Sequence, residues 1–316
     1  MTVLKQQINY SLPLYLIIFS GTVFLLFFAE SNLYATRSWS HLWNLGHIPL
    51  FMLISYAVYR IVPSISSSSL ILQVLLFAGM ALVLGAMIEF VQSFVGRQAS
   101  MQDVMLDMIG GVIFVLVFSP TLRSICLYKK VMLVLLVTSL LVVASSKLIF
   151  SAWDEYHAYR DFPLLADFEY EREIKRWTSS DKMMLTDAVA LTGRRSLRVD
   201  LRPRLYSGVE MQYFPRDWSD YKQLVLHVYH PEVEPISLTV SIFDEQHPAR
   251  HFVYADRFTK RFRLSRGWNA LRVSLHDVES APRKRRMDMS GISGLRLFVT
   301  RPHEGQQLFF DGIRLE

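Results

Sequence analysis

Two hydrophobic rhythms divide the chain. Up to about residue 150, apolar positions run together in long stretches near 12–29, 45–62, 70–95, 102–119 and 131–150. Each approaches the ~20 residues a helix needs to cross ~30 Å of hydrocarbon. Beyond residue 165 the apolar positions alternate with polar ones in short runs at 196–201, 224–229, 236–243, 258–264, 270–275, 295–300 and 308–315, separated by Gly, Pro, Asp and Asn. Alternation of that kind marks half-buried strands. The pattern predicts a multi-domain chain: an α-helical transmembrane bundle of about five spans over 1–150, a linker at 151–164, and an all-β sandwich over 165–316.

Charge follows the same division. Residues 1–150 carry 8 Lys plus Arg and 4 Asp plus Glu, whereas residues 151–316 carry 26 and 24. The net charge of +6 is spread over the second half without a basic helix or a nucleic-acid motif, which argues against nucleic acid as a partner. The single cysteine, Cys126, excludes an intramolecular disulfide. Lys5 and the apolar run after it lack a small-residue cleavage site, so the first stretch reads as a retained span. Placing the N-terminus in the cytoplasm puts Lys5, Arg60, Arg123, Lys129 and Lys130 inside and leaves only Arg37 and Arg97 in the outer loops. That satisfies the preference for positive charge on the inner side, and five spans then carry the C-terminal half outside. Trp39 and Trp43, between the first two stretches, suit an interfacial anchor.

Three of the four acidic residues in the first half, Glu89, Asp103 and Asp107, fall in one segment with Gln92 and Arg97. A charge near the centre of a bilayer costs roughly 2.5–3.5 kcal/mol even on the lenient scale, so such a cluster points to function. Glu89 and Gln92 are three apart and Asp103 and Asp107 four apart, so each pair shares a helix face. Gly110 and Gly111 allow close helix approach one turn further on. In the five-span topology His47 enters at the same depth. The order Glu89-x-x-Gln92, Arg97, Asp103, Asp107, Gly110, with His47 upstream, resembles VanZ-like membrane proteins over about 38–118. Asp107 stands where that family usually has Asn, exchanging an amide for a carboxylate. The resemblance implies a multi-pass protein of the bacterial inner membrane.

The second half is similar to galactose-binding-like jelly rolls, the architecture of many carbohydrate-binding modules, in phrases such as DFEYE, LTGRRSLRVD, DWSDYKQL, RGWNALRVSL and FFDGIRL. The resemblance implies a glycan platform, for which Tyr206, in an expected loop beside Gly208, and Trp177 are candidates; Trp218 and Trp268 read as packing residues. It also implies a structural Ca²⁺ held by Asp167, Glu169 and Asp311, since oxygen ligands suit that ion. The basic run Arg283 to Arg286 is a solvated turn or a contact for an anionic surface.

Together these readings give a protein that engages the lipid bilayer and a lipid-linked or anionic envelope component at the outer leaflet, with an external glycan-binding domain. The family resemblance adds a role in glycopeptide (teicoplanin-type) resistance or envelope maintenance. In that scheme Glu89, Asp103 and Asp107 form the reactive set, while Arg97, Gln92 and His47 hold the substrate. The alternatives are a transporter or flippase of a lipid-linked substrate, and a membrane-anchored glycan-binding scaffold. There is no Gly-x-Ser-x-Gly, zinc-spaced Cys/His set or Walker loop, which argues against ATP-driven chemistry.

Overall fold

The structure, a computed structural model, describes residues 36–94, 99–122, 126–249 and 253–316. The expected first span at 12–29 and Arg97 lie outside the described residues. The chain divides into two compact units, Met1–Ser151 and Ala152–Glu316.

Within the first unit, Thr36 caps a short helix α1 (Arg37–Asn44) by accepting from Trp39 N at 3.3 Å. Helices α2 (His47–Ile61), α3 (Leu70–Phe94), α4 (Met101–Phe118) and α5 (Leu127–Asp161) follow. Four helical stretches among the described residues, 37–61 and α3 to α5, are long and apolar enough to cross a membrane. The expected boundaries at 70–95 and 102–119 lie within a residue of the observed ones. The last expected span is longer than its apolar run: α5 continues to Asp161 through residues whose polar composition suggests a linker.

Helix α4 is the most enclosed of the four, because glycines bring its neighbours close. A Cβ on Gly110 would stand 2.5 Å from the Ile48 carbonyl of α2, and one on Gly111 would stand 3.0 Å from the Phe77 carbonyl of α3. Phe77 and Phe114 meet edge to face at 5.4 Å beneath that contact. Polarity in this unit is inverted relative to a water-soluble bundle. Glu89 is 4% exposed and Asp107 0%, while Phe94 on the same helix as Glu89 is 75% exposed and its outward neighbours are Val83, Met87 and Phe90. At the opposite end of α3 and α4, Ser119 Oγ donates to Gln73 Oε1 at 2.8 Å, and Gln73 Nε2 donates to the Ser68 carbonyl at 2.9 Å, so the buried amide is satisfied.

The second unit is a β-sandwich, with eleven strands among the described residues: β1 (Leu164–Ala166), β2 (Trp177–Thr178), β3 (Lys182–Thr186), β4 (Ser196–Asp200), β5 (Tyr206–Met211), β6 (Gln223–His230), β7 (Ile236–Asp244), β8 (Phe258–Leu264), β9 (Gly267–Ser274), β10 (Ile292–Thr300) and β11 (Gln307–Leu315). One sheet runs β3-β4-β11-β6-β9, with β1 also pairing β11; the other runs β2-β5-β10-β7-β8. Every pairing is antiparallel. Alternate residues fill the space between the sheets: Leu224, Leu226 and Val228 from one face, Leu238, Val240 and Ile242 from the other. Trp218 is fully buried there, its indole N–H donating to the Pro215 carbonyl at 3.0 Å, the packing role expected of it.

Two arginines brace this unit through ion pairs. Arg176 grips Asp154 through Nη2 at 2.9 Å and Nε at 3.2 Å, and its Nη1 donates to the Leu165 carbonyl at 3.2 Å. Arg285 bridges Asp256 (Nε to Oδ1, 2.8 Å) and Asp244 (Nη2 to Oδ1, 2.8 Å). The run 283–286 is therefore not a uniform solvated patch. Its third residue, Arg285, is a brace between β7 and the turn before β8, while Arg283 and Lys284 are exposed.

Candidate functional site

Each unit gathers polar side chains in one place. In the helical unit, His47 opens α2, Glu89 lies in the last turns of α3, and Asp103 and Asp107 lie in the first two turns of α4. Loop geometry brings these helix ends together. Ser100 caps α4 by accepting from Asp103 N at 3.3 Å, and its own backbone N–H donates to Glu89 Oε2 at 2.6 Å. His47 Nδ1 and Asp107 Oδ1 are 2.8 Å apart. An ionised carboxylate only accepts, so against it Nδ1 carries the hydrogen, and in the neutral imidazole Nε2 then keeps its lone pair. His47, Glu89 and Asp103 each offer a ligand atom, and these atoms lie within 4.8 Å of one another. Gln92 is buried as well.

The structure thus unites His47, Glu89, Asp103 and Asp107, as helical spacing predicts. Sequence reasoning missed Gly85, which lies one turn before Glu89 and leaves room for the second oxygen of Asp107; a Cβ there would be 2.5 Å from Oδ2. It also missed Ser100. The Ser-x-x-Asp spacing at a helix start was the signal for it.

In the sandwich, the outward face of β2-β5-β10-β7-β8 carries a groove of about 530 Å³. Tyr206 is 60% exposed and meets Phe298 edge to face, centroids 5.4 Å apart. Tyr206 is not in a loop: it opens β5, whose register places Gly208 beside Phe298. A Cβ on Gly208 would stand 2.1 Å from the Leu297 carbonyl, so only glycine permits this approach. Asp181 fixes the strand start by accepting from Ser207 Oγ at 2.7 Å and Gly208 N at 2.6 Å. Arg296 donates to Glu210 at 2.5 Å across the β5-β10 register. Arg257 also lines the groove, where burial and the Arg296 charge hold its pKa below the usual guanidinium range. Further along the same face a second hollow of about 580 Å³ is lined by Ser237, Thr239, Arg261, Thr300 and Arg301.

Trp177 is no part of that surface. It is 3% exposed and packs on Phe168 at 5.7 Å inside the core, because the inward position of β2 takes the larger apolar side chain. Trp268 is half-buried against Tyr229 on the other sheet. The three acids proposed for Ca²⁺ serve as backbone acceptors. Asp311 Oδ2 takes the amides of Leu191 (2.8 Å) and Thr192 (3.1 Å), and Glu169 Oε1 takes those of Arg194 (2.7 Å) and Arg195 (3.0 Å). Asp167 Oδ1 faces Glu169 N at 3.5 Å. Burial pushes Asp311 above the usual carboxylate range, with the Asp167 charge adding to it. Among the described residues the set of three converging ligand groups is His47, Glu89 and Asp103, not these acids.

No protein-family model and no curated protein matches the chain. The resemblance to VanZ-like proteins rests on the motif residues alone. Among solved structures, the C-terminal sandwich is similar to a family 11 carbohydrate-binding module from Clostridium thermocellum in complex with a β-1,3-1,4-mixed-linked tetrasaccharide, at 14% identity over 48% of this chain and 93% of that one, TM-score 0.37. It is similar to a xylan-binding domain from Paenibacillus barcinonensis at 19% identity, 48% and 96% coverage, TM-score 0.34. An exo-β-agarase matches at 14% identity and TM-score 0.38, and the aligned part covers 48% of this chain but only 24% of the agarase.

Proposed function

We propose that the chain is a membrane-embedded protein whose sandwich binds a glycan bearing anionic groups. The observation that carries this reading is the groove lined by Tyr206 and Phe298 together with Arg257 and Arg296. An exposed ring offers a flat apolar face to a sugar ring. Arg257 is partly desolvated beside a second cation and, among the described residues, pairs with no carboxylate, so a carboxylate or phosphate on the sugar would relieve that repulsion. In this reading the helices cross the bacterial inner membrane with the sandwich outside, where envelope glycans are within reach. The inverted polarity of the bundle favours a lipid setting, and its buried acidic end faces an anionic or lipid-linked envelope component. This keeps the VanZ-like reading as the proposal for the first unit.

The test uses the full chain in detergent against polygalacturonate, a teichoic acid and neutral mixed-linkage β-glucan, followed by calorimetry. Binding to an acidic polymer that weakens at least tenfold in Tyr206→Ala and in Arg257→Ala, with thermal unfolding unchanged, supports the groove. Binding that both variants leave intact, or no binding to any of the three polymers, sinks it.

A further inference from the structure

We infer that the buried end of the helical unit is a site for a first-row divalent transition metal, with His47, Glu89 and Asp103 as ligands. The arrangement has the features a built site needs. Its donors come from three different helices and their ligand atoms already lie within 4.8 Å of one another. Ligand atoms around an ion at ~2.1 Å stand roughly 3.4 Å apart, so a slight inward turn of each side chain closes the set. His47 is oriented for this role by Asp107, which holds Nδ1 at 2.8 Å and leaves Nε2 to ligate. A carboxylate behind a ligating imidazole is the usual means of fixing its tautomer and raising its basicity.

A second observation points independently to a missing partner. Glu89 is 96% buried by its 4% exposure, and while Oε2 receives the Ser100 amide, Oε1 is buried with no hydrogen-bond partner among the described residues. A buried carboxylate oxygen left in that state costs free energy that an ion would recover. Three carboxylates, Glu89, Asp103 and Asp107, share this end of the bundle, and a dication offsets two of their charges. One imidazole and two carboxylates favour Zn²⁺ or Mn²⁺, because Ca²⁺ and Mg²⁺ sites are built from oxygen alone. Three protein ligands leave a position open to water or to an anionic oxygen.

The site is separate from the glycan groove, so the two proposals fail independently. Full-length protein in detergent, stripped with chelator and carrying a tag without histidine, is titrated with ZnCl₂ by calorimetry. Binding of a single Zn²⁺ that weakens at least tenfold in His47→Gln, Glu89→Gln and Asp103→Asn, yet persists in Asp167→Asn and Glu169→Gln, supports the assignment. Equal Zn²⁺ affinity in all variants, or none in the wild type, overturns it. Pulsed electron paramagnetic resonance on Mn²⁺-loaded wild type needs no variant to fold: coupling to an imidazole nitrogen supports the site, and a spectrum without it overturns the role of His47.

Discussion

The second carboxylate oxygen of Asp107 occupies the space where a side chain on Gly85 would begin, with a Cβ at position 85 only 2.5 Å from Oδ2. Gly85→Ala therefore forces Asp107 to rotate away from His47. The expected loss is about 1–3 kcal/mol, typical of overpacking a close helix contact. Gly79 on the same helix has nothing within 4 Å of its Cβ position, so Gly79→Ala serves as the control. Thermal unfolding of both variants in detergent checks this; equal midpoints would remove the steric claim.

Arg285 and Arg283 belong to the same basic run but differ in kind. Arg285→Ala leaves the fully buried Asp244 without its guanidinium, and breaking a buried pair costs about 3–5 kcal/mol. Arg283→Ala removes an exposed charge and should leave the urea midpoint of the sandwich in place. Matching small shifts for the two would return the whole run to the role of a solvated turn.

Glu173 gives the sandwich a pH dependence. Burial, reinforced by the nearby Asp167 charge, pushes its carboxyl from 4.5 up to about 7, although it accepts the amides of Asp167 and Phe168. Such a group binds its proton more tightly folded than unfolded. Its contribution is complete below the unfolded value of 4.5 and is lost as pH rises to about 7, a fall of up to roughly 3 kcal/mol. Urea unfolding followed by tryptophan fluorescence at pH 4.5 and 7.5 measures it. Glu173→Gln keeps the acceptor and removes the charge, so it should lose most of the wild-type slope over that window; a slope like that of the wild type would dismiss Glu173 as the cause.

What the sequence disclosed, and what it hid, follows from the range of the interactions. Long apolar runs and strict alternation report the surroundings of each element directly, so α3, α4 and strands such as β7 and β8 were legible to within a residue or two. Glu89, Asp103 and Asp107 stood out because charge is scarce in that half, and helical spacing put each on the correct face. Tyr206 was hidden as a strand residue because Gly208 reads locally as a turn, whereas the glycine answers to Phe298 some ninety positions away. Trp177 misled because aromaticity does not tell which side of a two-residue strand faces inward. The end of α5 was hidden too: Asp154 looks like linker until Arg176 pairs with it.

The order of strands has a consequence for how the protein is made. β11 lies in the middle of its sheet, between β4 and β6, and also pairs with β1. A chain emerging in sequence brings out β4 and β6 with nothing yet to join them, each presenting unpaired main-chain groups along an edge that is interior in the finished fold. That sheet cannot close until residues 307–315 have been synthesised. Nascent chains arrested just short of that point would expose both edges and the apolar faces beside them, the conditions under which incomplete β-domains associate with one another.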